Sequence, residues 1–156
     1  MGNGFDQYAP AYDAWFLKNR NVLYSEVNLL ASVLENAGRV LSVGCGSGLF
    51  EKILRDERGI DIRNGIEPSE GMADIARKRG MNVAVAKAED ADFGTNEYDT
   101  ILFNGTPSYI APLDKVIAKA FAALPEGGRI ILIDVPKESS YGILYNLAKS
   151  LGTWNH

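Results

Sequence analysis

Between residues 39 and 135, short apolar runs alternate with amphipathic stretches at helical period, and this alternation sets the strongest limit on the fold. Arg39-Val40-Leu41-Ser42-Val43 reads as a strand cut off by a glycine cluster. Leu49, Phe50, Ile53 and Leu54 then resume a helical period that stops at Gly59. Further strands are expected over 62–66, 82–87, 98–103 and 129–135. Ser69 caps a helix carrying Met72, Ile75 and Ala76, whose basic last turn, Arg77-Lys78-Arg79, complements the helix dipole. Another helix carries Leu113, Val116, Ile117, Ala120, Phe121 and Leu124 and ends at Pro125. Ahead of the strands, Leu23, Val27, Leu30 and Leu34 mark a helix closing at Asn36 and Gly38, and a last helix is expected from Ser139 to Ser150. Strands alternating with helices of this length form crossover units, hence a parallel sheet. Ile130-Ile131-Leu132-Ile133, apolar on both faces, predicts a strand covered by helices on each side. With 156 residues, 46% of them hydrophobic, the chain supports one core. The expected fold is α/β, a doubly wound and mostly parallel sheet over residues 38–156 behind an N-terminal helical cap over 1–37.

Rare residues narrow the chemistry. Cys45 is the single cysteine and His156 the single histidine, so no intrachain disulfide, imidazole triad or Cys/His zinc site can form, and no metal is expected. A net charge of −4 with scattered basic residues offers no nucleic-acid footprint. No apolar run reaches the roughly 20 residues of a membrane span, and no leader pattern opens the chain. A cytoplasmic setting is expected.

Gly44-Cys45-Gly46-Ser47-Gly48 lies at the carboxyl end of the first strand and opens the next helix, where parallel sheets bind small ligands. Glycines allow a tight turn and close approach of backbone to ligand, and the helix start presents N–H groups. The spacing is G-x-G-x-G, and Leu49 stands where the third glycine of a dinucleotide fingerprint would fall, so an NAD-dependent oxidoreductase fits the fold but not the turn. Glu67 ends the second strand, where a carboxylate can accept both ribose hydroxyls. A plain βα turn and a helix-start charge are the structural alternatives for these two features.

In this order the segments resemble the class I S-adenosylmethionine-dependent methyltransferases. Val40 through Gly48 is similar to the family's first motif, and Gly65-Ile66-Glu67-Pro68-Ser69-Glu70-Gly71-Met72 to its second-strand segment. Ala88-Glu89-Asp90-Ala91-Asp92-Phe93 with Tyr98-Asp99-Thr100-Ile101 resembles the approach to the fourth strand, and Leu124-Pro125-Glu126-Gly127-Gly128-Arg129 the turn into the fifth. Phe5-Asp6-Gln7-Tyr8-Ala9-Pro10-Ala11-Tyr12-Asp13 is similar to the cap of small-molecule members. The resemblance implies a Rossmann-like sheet of order 3-2-1-4-5, with S-adenosylmethionine as cofactor and S-adenosylhomocysteine as product. It implies that the backbone at Gly44, Cys45, Gly46 and Gly48 faces the methionine end and that Glu67 holds the ribose. Pro68, Ser69 and Met72 would border the adenine, with the Ala88 N–H at its edge. Asn104 would line the methyl-transfer site, and Tyr8 and Tyr12 would cover the cofactor. Two positions depart from the family. Ser42 stands where an acid is usual, which removes a charge and predicts reduced affinity. Lys87 stands where Asp is common and cannot accept a hydrogen bond, leaving Glu89 or Asp90 as substitutes or the contact absent.

Methyl transfer from a sulfonium is an in-line displacement, so catalysis without histidine is compatible with this reading. A proton acceptor is left open among Asp, Glu, Tyr and Lys, with Asp134 and Tyr109 in position. The expected acceptor is a small molecule; a non-catalytic cofactor- or nucleotide-binding sensor is the alternative. Relatives usually add an antiparallel strand pair, the sixth and seventh strands, after the fifth. Their apparent lack here predicts a C-terminally incomplete chain, or, if the chain is complete, a homo-oligomer paired through the fifth-strand edge. Ile143, Leu144 and Leu147 are expected to cover one face of the sheet.

Overall fold

The structure, a computed structural model, describes residues 3–136 and 138–151, without the side chains of 3–8, 141, 145, 148 and 149. Two helices lead the chain, α1 (Asn3–Lys18) and α2 (Arg20–Val33). The alternating part follows as β1 (Val40–Val43), α3 (Leu49–Arg58), β2 (Asn64–Ile66), α4 (Glu70–Lys78) and β3 (Asn82–Ala84). It continues with β4 (Thr100–Asn104), a 3-10 turn at Pro107–Tyr109, α5 (Leu113–Ala123), β5 (Arg129–Ile133) and α6 (Ser140–Ser150). All strand pairs are parallel, in the order β3-β2-β1-β4-β5. Chain order reverses between β1 and β4, the place where open sheets of this kind bind ligands.

The stripe Leu23, Val27, Leu30 and Leu34 packs α2 into one core with Val40, Leu49, Phe50, Leu54, Ile62 and Leu102. A second cluster on the other side of the sheet joins Leu41, Val43, Ile101 and Phe103 to Val116 and Ala120 of α5. Between β3 and β4 the chain runs without a helix. Lys119 Nζ of α5 anchors this connection by donating to the carbonyls of Ala88 (2.7 Å), Glu89 (3.0 Å) and Ala91 (2.7 Å). The third strand stops at Ala84 rather than Lys87, since β2, its only partner among the described residues, pairs no further.

The cap is latched to the glycine turn by ionic contacts. Asp13 of α1 is buried; its Oδ1 accepts from Ser47 Oγ at 2.5 Å and its Oδ2 pairs with Arg79 at 2.7 Å. Arg79 also donates to the carbonyl and hydroxyl oxygens of Ser47 at 2.8 and 2.9 Å.

Two expectations at the C-terminal side are corrected. Among the described residues β5 is one of the two sheet edges, and its residues are half-buried to exposed rather than covered on both faces. Ile143, Leu144 and Leu147 of α6 are each more than half exposed, so they do not cover a sheet face. The sequence pattern marks these residues as apolar but carries no signal for what they meet.

At the opposite end of the strands, Asp99 accepts from the Arg39 backbone N–H (2.8 Å) and from its guanidinium (3.0 and 3.2 Å), joining the entries to β1 and β4. These bonds hold the Asp99 carboxyl down at about 2, from an ordinary 3.8. A depressed carboxylate pKa contributes stability that is present above about pH 4 and lost as pH falls toward 2. Asp99→Asn is expected to flatten the acid limb of the stability curve in that window, measured by urea unfolding at stepped pH.

Candidate functional site

The register builds the site. Ile66, Val43 and Phe103 lie side by side in the sheet, so Glu67, Gly44 and Asn104 follow at one common edge. Three glycines of the turn after β1 have positive φ, for different reasons. A Cβ on Gly44 would lie 2.0 Å from Thr106 Cγ2, and one on Gly48 2.7 Å from Met81 Sδ, so both are glycine because neighbours fill the space. Gly46, at φ +56°, would meet nothing within 4 Å: its backbone faces open space. Its N–H donates to Glu67 Oε2 at 2.9 Å, and the Ser69 N–H donates to Oε1 at 2.9 Å. Glu67, only 7% exposed, thereby ties the turn after β1 to the turn after β2. Ser69 caps α4 as expected, its hydroxyl accepting from the Met72 N–H at 3.2 Å.

A cleft opens beside this turn, lined among others by Tyr12, Glu26, Gly46, Glu51 and Asn104. Ser42 donates its hydroxyl to Glu51 Oε1 at 2.7 Å. Glu51, on the first turn of α3, is 5% exposed, and burial pushes its carboxyl above the ordinary range. The acid absent at position 42 therefore stands one hydrogen bond away, on α3. Glu26 on α2 accepts from Asn104 Nδ2 at 2.9 Å, and burial raises its carboxyl too. Asn104 Oδ1 is buried without a partner. Tyr12 stacks edge-on against Phe16, and burial together with Glu26, Tyr109, Asp13 and Glu51 raises its phenol. No lysine or arginine lines the cleft among the described residues, and no ion pair among them reaches Glu26 or Glu51.

Of the residues singled out in the sequence, Tyr12, Gly44, Cys45, Gly46 and Asn104 line this cleft, and Ser42 and Glu67 bond to residues that do. Cys45 is buried and its thiol pushed up by burial, as suits a small packing residue in the turn. Pro68 is exposed and Met72 buried beside Ser69. Ala88 and Glu89 do not join the cleft lining; Glu89 Oε1 accepts from the Ala111 N–H at 3.2 Å. Asp134 accepts from the backbone of Ser108 and Val135, both at 2.8 Å, which gives it a loop-tying role. The side chain of Tyr8 lies outside the described residues.

Glu26, Glu51 and the Asp13–Arg79 pair are the additions that folding makes. A signal for the first two was present. Glu26 falls between Leu23 and Leu30 on the buried stripe of α2, and Glu51 lies three residues before Leu54 on that of α3. A charge on a core-facing stripe is costly unless it serves a ligand or partner.

Sheet order, glycine turn and strand-end carboxylate together define a Rossmann-like cofactor-binding enzyme. Residues 16–156 match the methyltransferase domain family, and the chain belongs to it. In structure it is similar to a Thermotoga maritima protein described as an S-adenosylmethionine-dependent methyltransferase, "possible histamine N-methyltransferase". That similarity has a TM-score of 0.84 at 32% identity and covers 97% of this chain and 70% of that one. An uncharacterized protein of Methanocaldococcus jannaschii is 37% identical over 94% of this chain and 68% of its own length. A malonyl-[acyl-carrier protein] O-methyltransferase of Geobacter sulfurreducens is 29% identical over 81% of this chain and 49% of its own. The enzyme class is S-adenosylmethionine-dependent methyl transfer.

Two expectations follow from the site. A buried carboxyl with a raised pKa favours the fold while protonated, and that contribution is lost as pH rises through the folded value. Glu51→Gln should make the ligand-free protein more stable than wild type at about pH 8, with the difference closing near about pH 4; chemical denaturation at the two pH values reads this. Gly46→Val places a branched side chain at positive φ in the open space of the turn. Loss of S-adenosylhomocysteine binding with retained circular dichroism is expected.

Proposed function

We propose that the carboxyl edge of β1, β2 and β4 holds S-adenosylmethionine and that the chain methylates a small molecule beneath the α1–α2 cap, residues 1–37, with 38–156 as the cofactor domain. The observation that carries this reading is the bare backbone of Gly46 beside buried Glu67. That space lets a ligand approach the main chain closely, next to a carboxylate suited to paired hydroxyls. The acceptor chemistry also fits: buried Glu51, in a cleft that no lysine or arginine lines among the described residues, suits a ligand bearing an ammonium.

When bound, S-adenosylmethionine supplies a methyl group already activated by its sulfonium sulfur. The chain's residues orient it. Glu67 accepts the ribose hydroxyls, and Gly44, Cys45, Gly46 and Gly48 shape the backbone at the methionine end. Glu51, oriented by Ser42, receives the ammonium. Pro68, Ser69 and Met72 border the adenine, with the Ala88 N–H and Glu89 at its edge. Tyr12 covers the cleft and excludes water, and Asn104 stands where the methyl is passed on. Alignment of this kind contributes about 7–11 kcal/mol to such displacements. A cytoplasmic setting accords with one buried cysteine.

Calorimetric titration with S-adenosylhomocysteine and with methylthioadenosine, which has the ribose but no amino-acid ammonium, tests the assignment. A hydrogen bond to a charged group contributes about 1.5–3 kcal/mol, equivalent to roughly 10- to 150-fold in affinity. Glu67→Ala should weaken both ligands by that factor. Glu51→Gln should weaken S-adenosylhomocysteine alone. Equal loss of both ligands in Glu51→Gln would show that Glu51 does not meet the ammonium.

A further inference from the structure

The cleft carries two acceptors that cofactor binding does not use. Glu26 projects from the buried stripe of α2, and the donor it meets is Asn104 Nδ2 at 2.9 Å. That bond fixes the Asn104 amide, and its Oδ1 is left buried without a partner. A carboxylate and an amide oxygen thus sit together at the end of β4, in the cleft that Tyr12 also lines. A buried carbonyl oxygen without a donor is unfavourable, and so is a desolvated carboxylate without a cation. One ligand group relieves both: a cationic nitrogen with several N–H donors. An anionic acceptor would meet Glu26 and Glu51 with no lysine or arginine among the described residues lining the cleft to offset them. A neutral alcohol brings a single donor for two acceptors.

Resting on the reading that this cleft holds S-adenosylmethionine, we infer that the methyl acceptor is an amine, seated as its ammonium between Glu26 and Asn104 Oδ1, and that Glu26 takes its proton. The step balances. One N–H proton passes to the Glu26 carboxylate, and the freed nitrogen lone pair forms the N–C bond to the methyl carbon. The C–S bond breaks with its electron pair remaining on sulfur. The product leaves as a methylated ammonium, and the carboxylic acid returns its proton to water. Burial, which raises the proton affinity of Glu26, works in the direction this step needs.

The test uses methylammonium, the smallest probe with the proposed headgroup, and formate as its anionic counterpart. Each is titrated into the S-adenosylhomocysteine complex of the whole chain and followed through the side-chain amide resonances of Asn104. Saturable shifts with methylammonium and none with formate are expected. In Glu26→Gln, checked for cooperative melting, methylammonium affinity should fall by about tenfold or more. Asn104→Leu, with Glu26 retained, should also weaken the probe, read by competition calorimetry. If S-adenosylhomocysteine binds but methylammonium moves nothing, or binds Glu26→Gln equally well, the amine inference is overturned and the cofactor reading stands. If S-adenosylhomocysteine itself fails to bind, both fall together.

Discussion

The site depends on one buried carboxylate. Glu67 accepts an N–H from Gly46 and another from Ser69, and so fixes the turn after β1 against the turn after β2. Each turn has further bonds of its own, but this acid is bonded to both. Register does the rest, because Ile66, Val43 and Phe103 are neighbours, so Glu67, Gly44 and Asn104 come together at the carboxyl ends of their strands. The Asp13–Ser47–Arg79 contacts then bring the cap to the same turn. Removing one partner of a largely buried ion pair is costly, about 3–5 kcal/mol in fully buried cases, so the cap is held by more than its apolar face.

Charge gives the cleft its character. Glu26, Glu51 and Glu67 stand at or beside it, while the nearby cation Arg79 is engaged with Asp13 and Ser47. Such a site is unfavourable when empty and favourable when a cation enters, which couples ligand binding to stability. The raised carboxyls of Glu26 and Glu51 express the same cost as proton affinity. The electrostatics therefore favour a cationic ligand over an anionic one, and they do so before any shape complementarity is considered.

The fold was legible because its signals are local. Gly59 ends α3 with positive φ, Ser69 caps α4 and the strand runs stand where their apolar pattern put them. Strand ends were legible only roughly, since β3 stops at Ala84 for lack of partner residues on β2. The environment of Ile130 to Ile133 was not legible: an apolar run reads the same at a sheet edge as at its centre, and neighbours decide which it is. The site was legible as far as it lies on the glycine turn and the strand ends. Glu26, Glu51 and Asp13 escaped because each lies on a helix, where an acid ordinarily belongs to solvent or the dipole. Only their placement on buried stripes set them apart.

The relation of Ser42 to Glu51 shows why a departure from a family pattern need not be a loss. Position 42 on β1 and position 51 on the first turn of α3 meet, since the strand runs through the glycine turn into that helix. Moving the acid from strand to helix leaves a hydroxyl on β1, which donates to the acid and orients it at 2.7 Å. The helix position also places the charge at the N-terminal end of α3, where the dipole favours a negative group and reduces the cost of burial. A compact βα turn thus brings together two positions nine residues apart in the chain. Position 42 is therefore read together with position 51: the serine hydroxyl on β1 bonds a buried carboxylate that the next helix supplies.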